Sequence, residues 1–255
     1  MKILTYKHGG ETAVGVLKND GSEVVPVNYL GCSAIDMNTF LDVQNEKKLE
    51  KLDRNKELMQ GIPLDEVQIL SPIPHPKQDV VCLGINYYAH AEEDVARDAG
   101  VSIATVSCCL SGARNVKPEE VFEYVFGYTI LNDMSARNLQ TSHKQWYFGK
   151  SLDDFTPIGP WIVTKDEFKN PPALPIRSYV NGELRQDSNT ELMINGIEKV
   201  ICELTQGMTL QAGTIIAMGT PAGVGMGFEP PRFLKRGDVV TCEIEGIGTM
   251  TNKIK

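Results

Sequence analysis

The spacing of hydrophobic positions changes several times along this chain. Over residues 1–30 apolar and polar residues alternate, interrupted at "KHGGE" and "KNDGSE". A period of two bounded by turn residues predicts β-hairpins, because successive strand side chains point to opposite faces. From 33 to 60 the period lengthens. "SAIDMNTFLDV" opens on a capping residue and "NEKKLEKLDRNKELM" repeats apolar residues at helical spacing, which predicts two helices. "GIPLDEVQILSPIPHP" is Pro-rich and reads as an extended linker, placing the end of a small N-terminal β/α module near residue 70 and a larger domain over 71–255.

Beyond "DVVCLGINYY" the pattern is mainly that of strands: "GPWIVT", "RSYVNGELRQ", "GTIIAMGT" and "DVVTCEIEGIGTMTNKI". Asn181-Gly182 between two such runs predicts a tight hairpin, since both residues tolerate positive φ. Helices are predicted at 118–126, with Pro118 in the first position, Glu119 and Glu120 in the first turn and Gly127 as the stop, and at about 192–206. There is no internal repeat. The mixture predicts a β-rich α+β fold rather than a doubly wound sheet.

Charge narrows the partners. A formal net charge of −8 opposes general attraction to nucleic acid or anionic membranes, so an acidic ligand would need local positive charge. The cysteines (Cys32, Cys82, Cys108, Cys109, Cys202, Cys242) show neither zinc spacing nor a disulfide framework. "MKILTYKHGGETAVGVL" lacks the apolar core of a signal peptide, and no run reaches membrane-spanning length. A reducing, cytoplasmic setting is the expectation.

In "GYTILNDMSARNLQ", Asp133 follows a strand-like run, and Arg137 and Gln140 share a helix face three residues apart. Such an acid can hold a divalent cation, and Arg with Gln can bind a carboxylate or carbonyl; the same residues also describe a helix cap with a surface pair. Lys150 lies in "WYFGKSLDDF", an aromatic setting suited to stabilising an oxyanion or enolate, or to a snorkelling lysine. In "MGTPAGVGMG", Thr220 and backbone N–H groups could meet a carboxylate. His90 and Glu93 in "GINYYAHAEE" face each other on a helix, as a base and its orienting acid would.

"LGINYYAHAEE", "FGYTILNDMSARNLQ", "GKSLDDFTPIGPWIVT", "VNGELRQ" and "GTPAGVGMG" occur in one order. Together they resemble the fumarylacetoacetate hydrolase family, especially its shorter bacterial-type and domain-containing-protein-2-like members. The resemblance implies a mixed β-roll, a homodimer, and Mg²⁺ or Mn²⁺ as cofactor. It implies cleavage of acylpyruvates or β-diketo acids, decarboxylation or tautomerisation of oxaloacetate, or isomerisation of unsaturated 2-oxo acids. By the same match Asp133 is a metal ligand, and Arg137, Gln140 and Lys150 contact substrate or metal-bound water. Thr220 binds the substrate carboxylate, and His90 with Glu93 forms a lid dyad. One departure is Asn138, where the family usually has Asp.

The larger departure lies between the dyad and "ARNVKPEEV". There the family carries a longer segment with a Glu-x-Glu strand that completes the metal site, whereas "DVARDAGVSIATVSCCLSG" holds no Glu. The Glu243-Ile-Glu245 pair matches the family's C-terminal strand, which supplies no ligands. Asp133 alone would hold a hard cation weakly, so the metal site is expected to be incomplete. Residues 94–112 instead resemble the helix-turn-helix of LacI-type repressors, with Gly100 at the turn and Ser102 capping a second helix, "IATVSCCL". This suggests a short helical insert, and as an alternative a non-catalytic or chimeric DNA-binding protein. DNA binding is disfavoured because Ile103, Ala104 and Cys108 occupy the reading positions. Loss of the family strand should also leave unpaired sheet edges.

Overall fold

The computed structural model describes residues 1–92, 101–107, 112–142 and 146–255, with the backbone only at 91, 92 and 101–107. Along them run β1 (Lys2–His8), β2 (Glu11–Leu17), β3 (Glu23–Pro26), α1 (Met37–Val43), α2 (Glu46–Lys56), β4 (Ile62–Pro63), β5 (Gln68–Ile69), β6 (Val81–Cys82) and α3 (Tyr88–Glu92). They continue with β7 (Val101–Ser107), β8 (Val125–Asn132), α4 (Arg137–Ser142), α5 (Trp146–Lys150), β9 (Ile158–Thr164), β10 (Pro175–Val180) and β11 (Glu183–Asn189). Last come α6 (Ile197–Gly207), β12 (Ile215–Ala217), β13 (Val239–Ile244) and β14 (Gly248–Lys253).

The large sheet has the order β4-β3-β2-β1-β9-β8-β7-β12-β6, with β5 added on β1; a smaller sheet runs β11-β10-β13-β14. The N-terminal hairpins form as predicted, and β1 pairs with β9, so one sheet runs through both halves of the chain. Strand alternation sorts the core. In β12, Ile215 and Ala217 pack with Met37, Phe40 and Leu41 of α1 and Leu52 of α2. Ile216, pointing the other way, packs with Ile176, Cys242 and Ile244 of the small sheet and Ile197 and Ile201 of α6. The fold is therefore the expected mixture of antiparallel sheets and helices, with the long sheet sandwiched between two apolar layers.

Local chemistry explains the boundaries. The α1 cap is Asp36 rather than Ser33, because Asp36 and Thr39 satisfy each other's backbone reciprocally. Asn45 caps α2 by accepting from Lys48 N–H. Asn181 and Gly182 adopt φ of 53° and 82° and close the β10–β11 hairpin as predicted. The predicted 118–126 helix is corrected. Pro118–Glu123 makes only 3₁₀ turns, and β8 begins at Val125. Gly127 stops nothing: it lies within β8, where a Cβ would come within 2.2 Å of the Val163 carbonyl oxygen on β9. Every residue of β8 is buried, so packing against both neighbours decides its conformation. The final helix starts at Ile197, later than the predicted 192.

The second correction concerns residues 101–107. They do not form the second helix of a helix-turn-helix but strand β7, antiparallel to β8 on one side and to β12 on the other. The register sets Val101 opposite Asn132, and Ala104 opposite both Thr129 and Ala217. Two buried strands would each present a row of unsatisfied backbone groups here, and "VSIATVS" is rich in residues that favour a pleated surface. The unpaired edge expected at this position is thus filled. The first half of the helix-turn-helix, and residues 108–111, lie outside the described residues.

Ala104→Pro separates the two conformations. In the first turn of a helix a proline is tolerated, whereas in a strand paired on both sides it deletes a ladder hydrogen bond. Chemical denaturation should show Ala104→Pro losing at least as much stability as Ile216→Ala, which empties a fully buried site and should cost about 2–5 kcal/mol.

Candidate active site

The ends of β6, β8 and β12 open onto a cavity of about 800 Å³. His90, Asp133, Arg137, Gln140, Lys150 and Thr220 all line it. Six residues singled out from separate sequence motifs are thus brought to one place. Glu93, the seventh, lies outside the described residues. Glu243 is not part of the site; it faces Arg177 at 3.2 Å on the small sheet, and Glu245 is likewise absent from the cavity wall.

Asp133 is the first residue after β8. The chain that follows is held against residues 149–157 by backbone hydrogen bonds: Asn132 N–H to Pro157 O (3.0 Å), Met134 N–H to Phe155 O (3.0 Å) and Ala136 N–H to Gly149 O (2.8 Å). This ladder delivers Lys150 to Asp133, and Nζ donates to Oδ2 at 2.9 Å. Their side chains are 21% and 16% exposed, so the pair is only partly screened by water. Burial pushes the Lys150 ammonium below its usual range, and the Asp133 carboxylate opposes that shift. One turn on, Arg137 donates to Gln140 Oε1, the spacing predicted for a shared helix face. Burial pushes the guanidinium down to about 9, which leaves it charged at neutral pH.

Helices α4 and α5 meet at Gly149, where a Cβ would lie 2.8 Å from the Gln140 backbone nitrogen. No other residue permits that approach, and without it Lys150 and Gln140 could not share a wall. Asn86 performs a similar task for His90. Its Nδ2 donates to Asn195 O (2.9 Å) and Met218 O (2.8 Å), and its Oδ1 accepts from Asn195 N–H (2.7 Å), fixing the turn before α3.

Two features escaped the sequence reading. Gln186 was visible only as part of "VNGELRQ", yet its Nε2 donates to Thr220 Oγ1 and to Pro221 O, both at 2.8 Å, while Ser178 Oγ donates to its Oε1 at 2.8 Å. The signal was masked by a bulge that shifts the β10–β11 register, leaving Leu184 exposed and Gln186 buried. The other is Cys82, an exposed residue at the end of β6 that lines the cavity.

Residues 104–255 match the model of the fumarylacetoacetate (FAA) hydrolase C-terminal domain, and the chain belongs to that enzyme family. It is 41% identical over 224 residues to the oxaloacetate tautomerase YisK of Bacillus subtilis (strain 168), a match covering 75% of this chain and 74% of the relative. The fumarylacetoacetate hydrolase EaFAH of Exiguobacterium antarcticum superposes with a TM-score of 0.86 at 33% identity, covering 100% of this chain and 99% of the other. A maleylpyruvate hydrolase of Sphingobium sp. SYK-6, solved with manganese(II) and pyruvate, superposes with a TM-score of 0.81 at 26% identity over 100% and 98% of the two chains.

The donors that the described residues place here fall short of what such a cation takes. Among the described residues no three His, Cys, Asp or Glu side chains converge, and the sequence has no acid between Asp98 and Glu119. The strand beside Asp133 begins Val101-Ser102-Ile103, with Val101 in register with Asn132. A hard divalent cation takes about six oxygen ligands, and Asp133 already shares a hydrogen bond with Lys150.

Gly149→Ala is expected to destabilise by about 1–3 kcal/mol through overpacking against Gln140. A thermal melt unchanged from that of the parent chain would contradict the tight α4–α5 contact.

Proposed function

We propose that this chain interconverts the keto and enol forms of small 2-oxo dicarboxylic acids of the oxaloacetate type. The observation that carries the reading is the convergence of two half-buried cations, Lys150 and Arg137, with His90 and Thr220 on one cavity. The similarity to an oxaloacetate tautomerase supports it. Tautomerisation also asks least of the site, because one C–H bond breaks, one O–H bond forms, and no water need be delivered. Acylpyruvate hydrolysis by the same scaffold would require an activated water.

Each role follows from position. Arg137, steadied by Gln140, presents a planar donor set to one substrate carboxylate. Thr220, placed by Gln186, meets the second. Lys150 donates to the carbonyl oxygen on which negative charge gathers as the enolate forms. His90, buried in the cavity wall, lifts the proton from the adjacent carbon; solvent then protonates the enolate oxygen and takes the proton from His90, so the enol forms with the protein unchanged. The alternative of a DNA-binding chimera loses its recognition element, since the segment that would enter the groove is the inner strand β7.

Following the ultraviolet absorbance of enol-oxaloacetate in buffer tests the reading. Addition of the protein should hasten decay of the enol. His90→Ala should lower kcat by about 10²–10⁴-fold, and Arg137→Leu should raise KM by about 10–100-fold. An unaltered decay rate with the parent protein would refute it.

A further inference from the structure

We propose that the Lys150 ammonium serves here as the electrophile in place of a divalent cation, so that the site binds 2-oxo acids and their enolates without metal. The inference rests on the functional reading above for the choice of ligand, but concerns how the anion is held. Four observations carry it. Lys150 Nζ sits 2.9 Å from Oδ2 of Asp133, the carboxylate that would hold a metal. Both side chains are largely buried, so the pair is not a screened surface contact. Among the described residues no three-ligand group assembles, and the strand paired with the end of β8 begins Val101-Ser102-Ile103, with no acid among them and Val101 opposite Asn132. Arg137 lines the same cavity, so two cationic side chains reach it beside Asp133, with Asp79 and Asp154 also on its wall.

Two cationic donors suit an enolate by direct contact. Ammonium and guanidinium groups donate hydrogen bonds to oxyanions without needing a ligand sphere of their own, and in a partly dry cavity such bonds are strong. In the resting site Asp133 occupies one donor of Lys150 and leaves two; an ammonium has three. A bound 2-oxo acid can therefore take its carbonyl contact from Lys150 while Asp133 keeps the ammonium in position. No bond is made to Lys150, and the only covalent change is the proton transfer already described. Asp133 on this view is an orienting counter-charge that also repels the incoming anion. A metal-binding site makes the opposite demand of the same residue, because losing its carboxylate would lose the cation.

The test uses oxalate, a planar dianion that resembles the enolate of a 2-oxo acid, and titration calorimetry on the full chain. After dialysis against EDTA, with metal content checked by mass spectrometry, oxalate should still bind. Addition of Mn²⁺ should change its Kd by less than about threefold beyond the complexation of oxalate in solution. Lys150→Met should weaken binding by about 10–100-fold, the range for a charged hydrogen bond. Asp133→Asn removes the repelling charge while its side-chain oxygen can still accept from Lys150, so it should bind oxalate in EDTA several-fold more tightly than the parent, and it answers the question even if Lys150→Met does not fold. Oxalate binding that appears only with stoichiometric Mn²⁺, or that Asp133→Asn abolishes, would overturn the inference. Oxalate binding in EDTA without any effect on enol-oxaloacetate would leave it standing and sink the tautomerase reading; tautomerase activity that requires Mn²⁺ would do the reverse.

Discussion

The backbone hydrogen-bonding demand at the middle of the large sheet governs much of what this chain can be. Strand β8 is buried along its whole length, and β12 lies two places away. A gap between them would leave donors and acceptors on both facing edges without water, at a cost that no marginally stable domain can bear. Whatever sequence the chain supplies to that slot must therefore be extended. "VSIATVS" meets the requirement with Val, Ile and Thr, although its resemblance to a repressor helix is real at the level of individual residues. Tertiary pairing overrides the local pattern, and in doing so it sets the composition of the cavity at the strand ends.

That slot connects fold to chemistry. The start of β7 is in register with the end of β8, where Asp133 emerges, and its middle is in register with Ala217, three residues before Thr220. Residues placed there are thus neighbours of the site by topology alone. With no acid available from the strand, the strongest partner for Asp133 is Lys150, brought in by the backbone ladder between residues 132–136 and 149–157 and by the close approach at Gly149. The ion pair is thus a consequence of the sheet.

Much of this was legible in the sequence because it depends on local rules. Asn181-Gly182 forces a hairpin through its backbone preferences, and Arg137 with Gln140 must share a helix face at a spacing of three. The convergence of His90, Asp133, Lys150 and Thr220 was expected from the order of the family's motifs, since their separations along the chain say nothing about distance in space. What stayed hidden depends on long-range pairing. Gly127 looks like a helix stop until β9 is laid against it, and Gln186 looks like a surface residue until a bulge turns it under Thr220. The identity of β7 belongs to the same class, since only its two neighbours make it a strand.

On the proposed metal-free reading, electrostatics give a reason why such a site could work without further metal carboxylates. Taking away two carboxylates together with one divalent cation leaves the formal charge of a pocket unchanged, so its long-range pull on a dianion is the same. What changes is geometry. A cation fixes two substrate oxygens in one plane, whereas Lys150 and Arg137 are separate donors on α5 and α4 whose spacing is set by the helix contact at Gly149. Rigidity that a metal would impose on the ligand is thereby transferred to the packing of two short helices. On the proposed reading the demand falls on Gln140, enclosed between Arg137 and Gly149, whose burial would then serve ligand binding as well as packing.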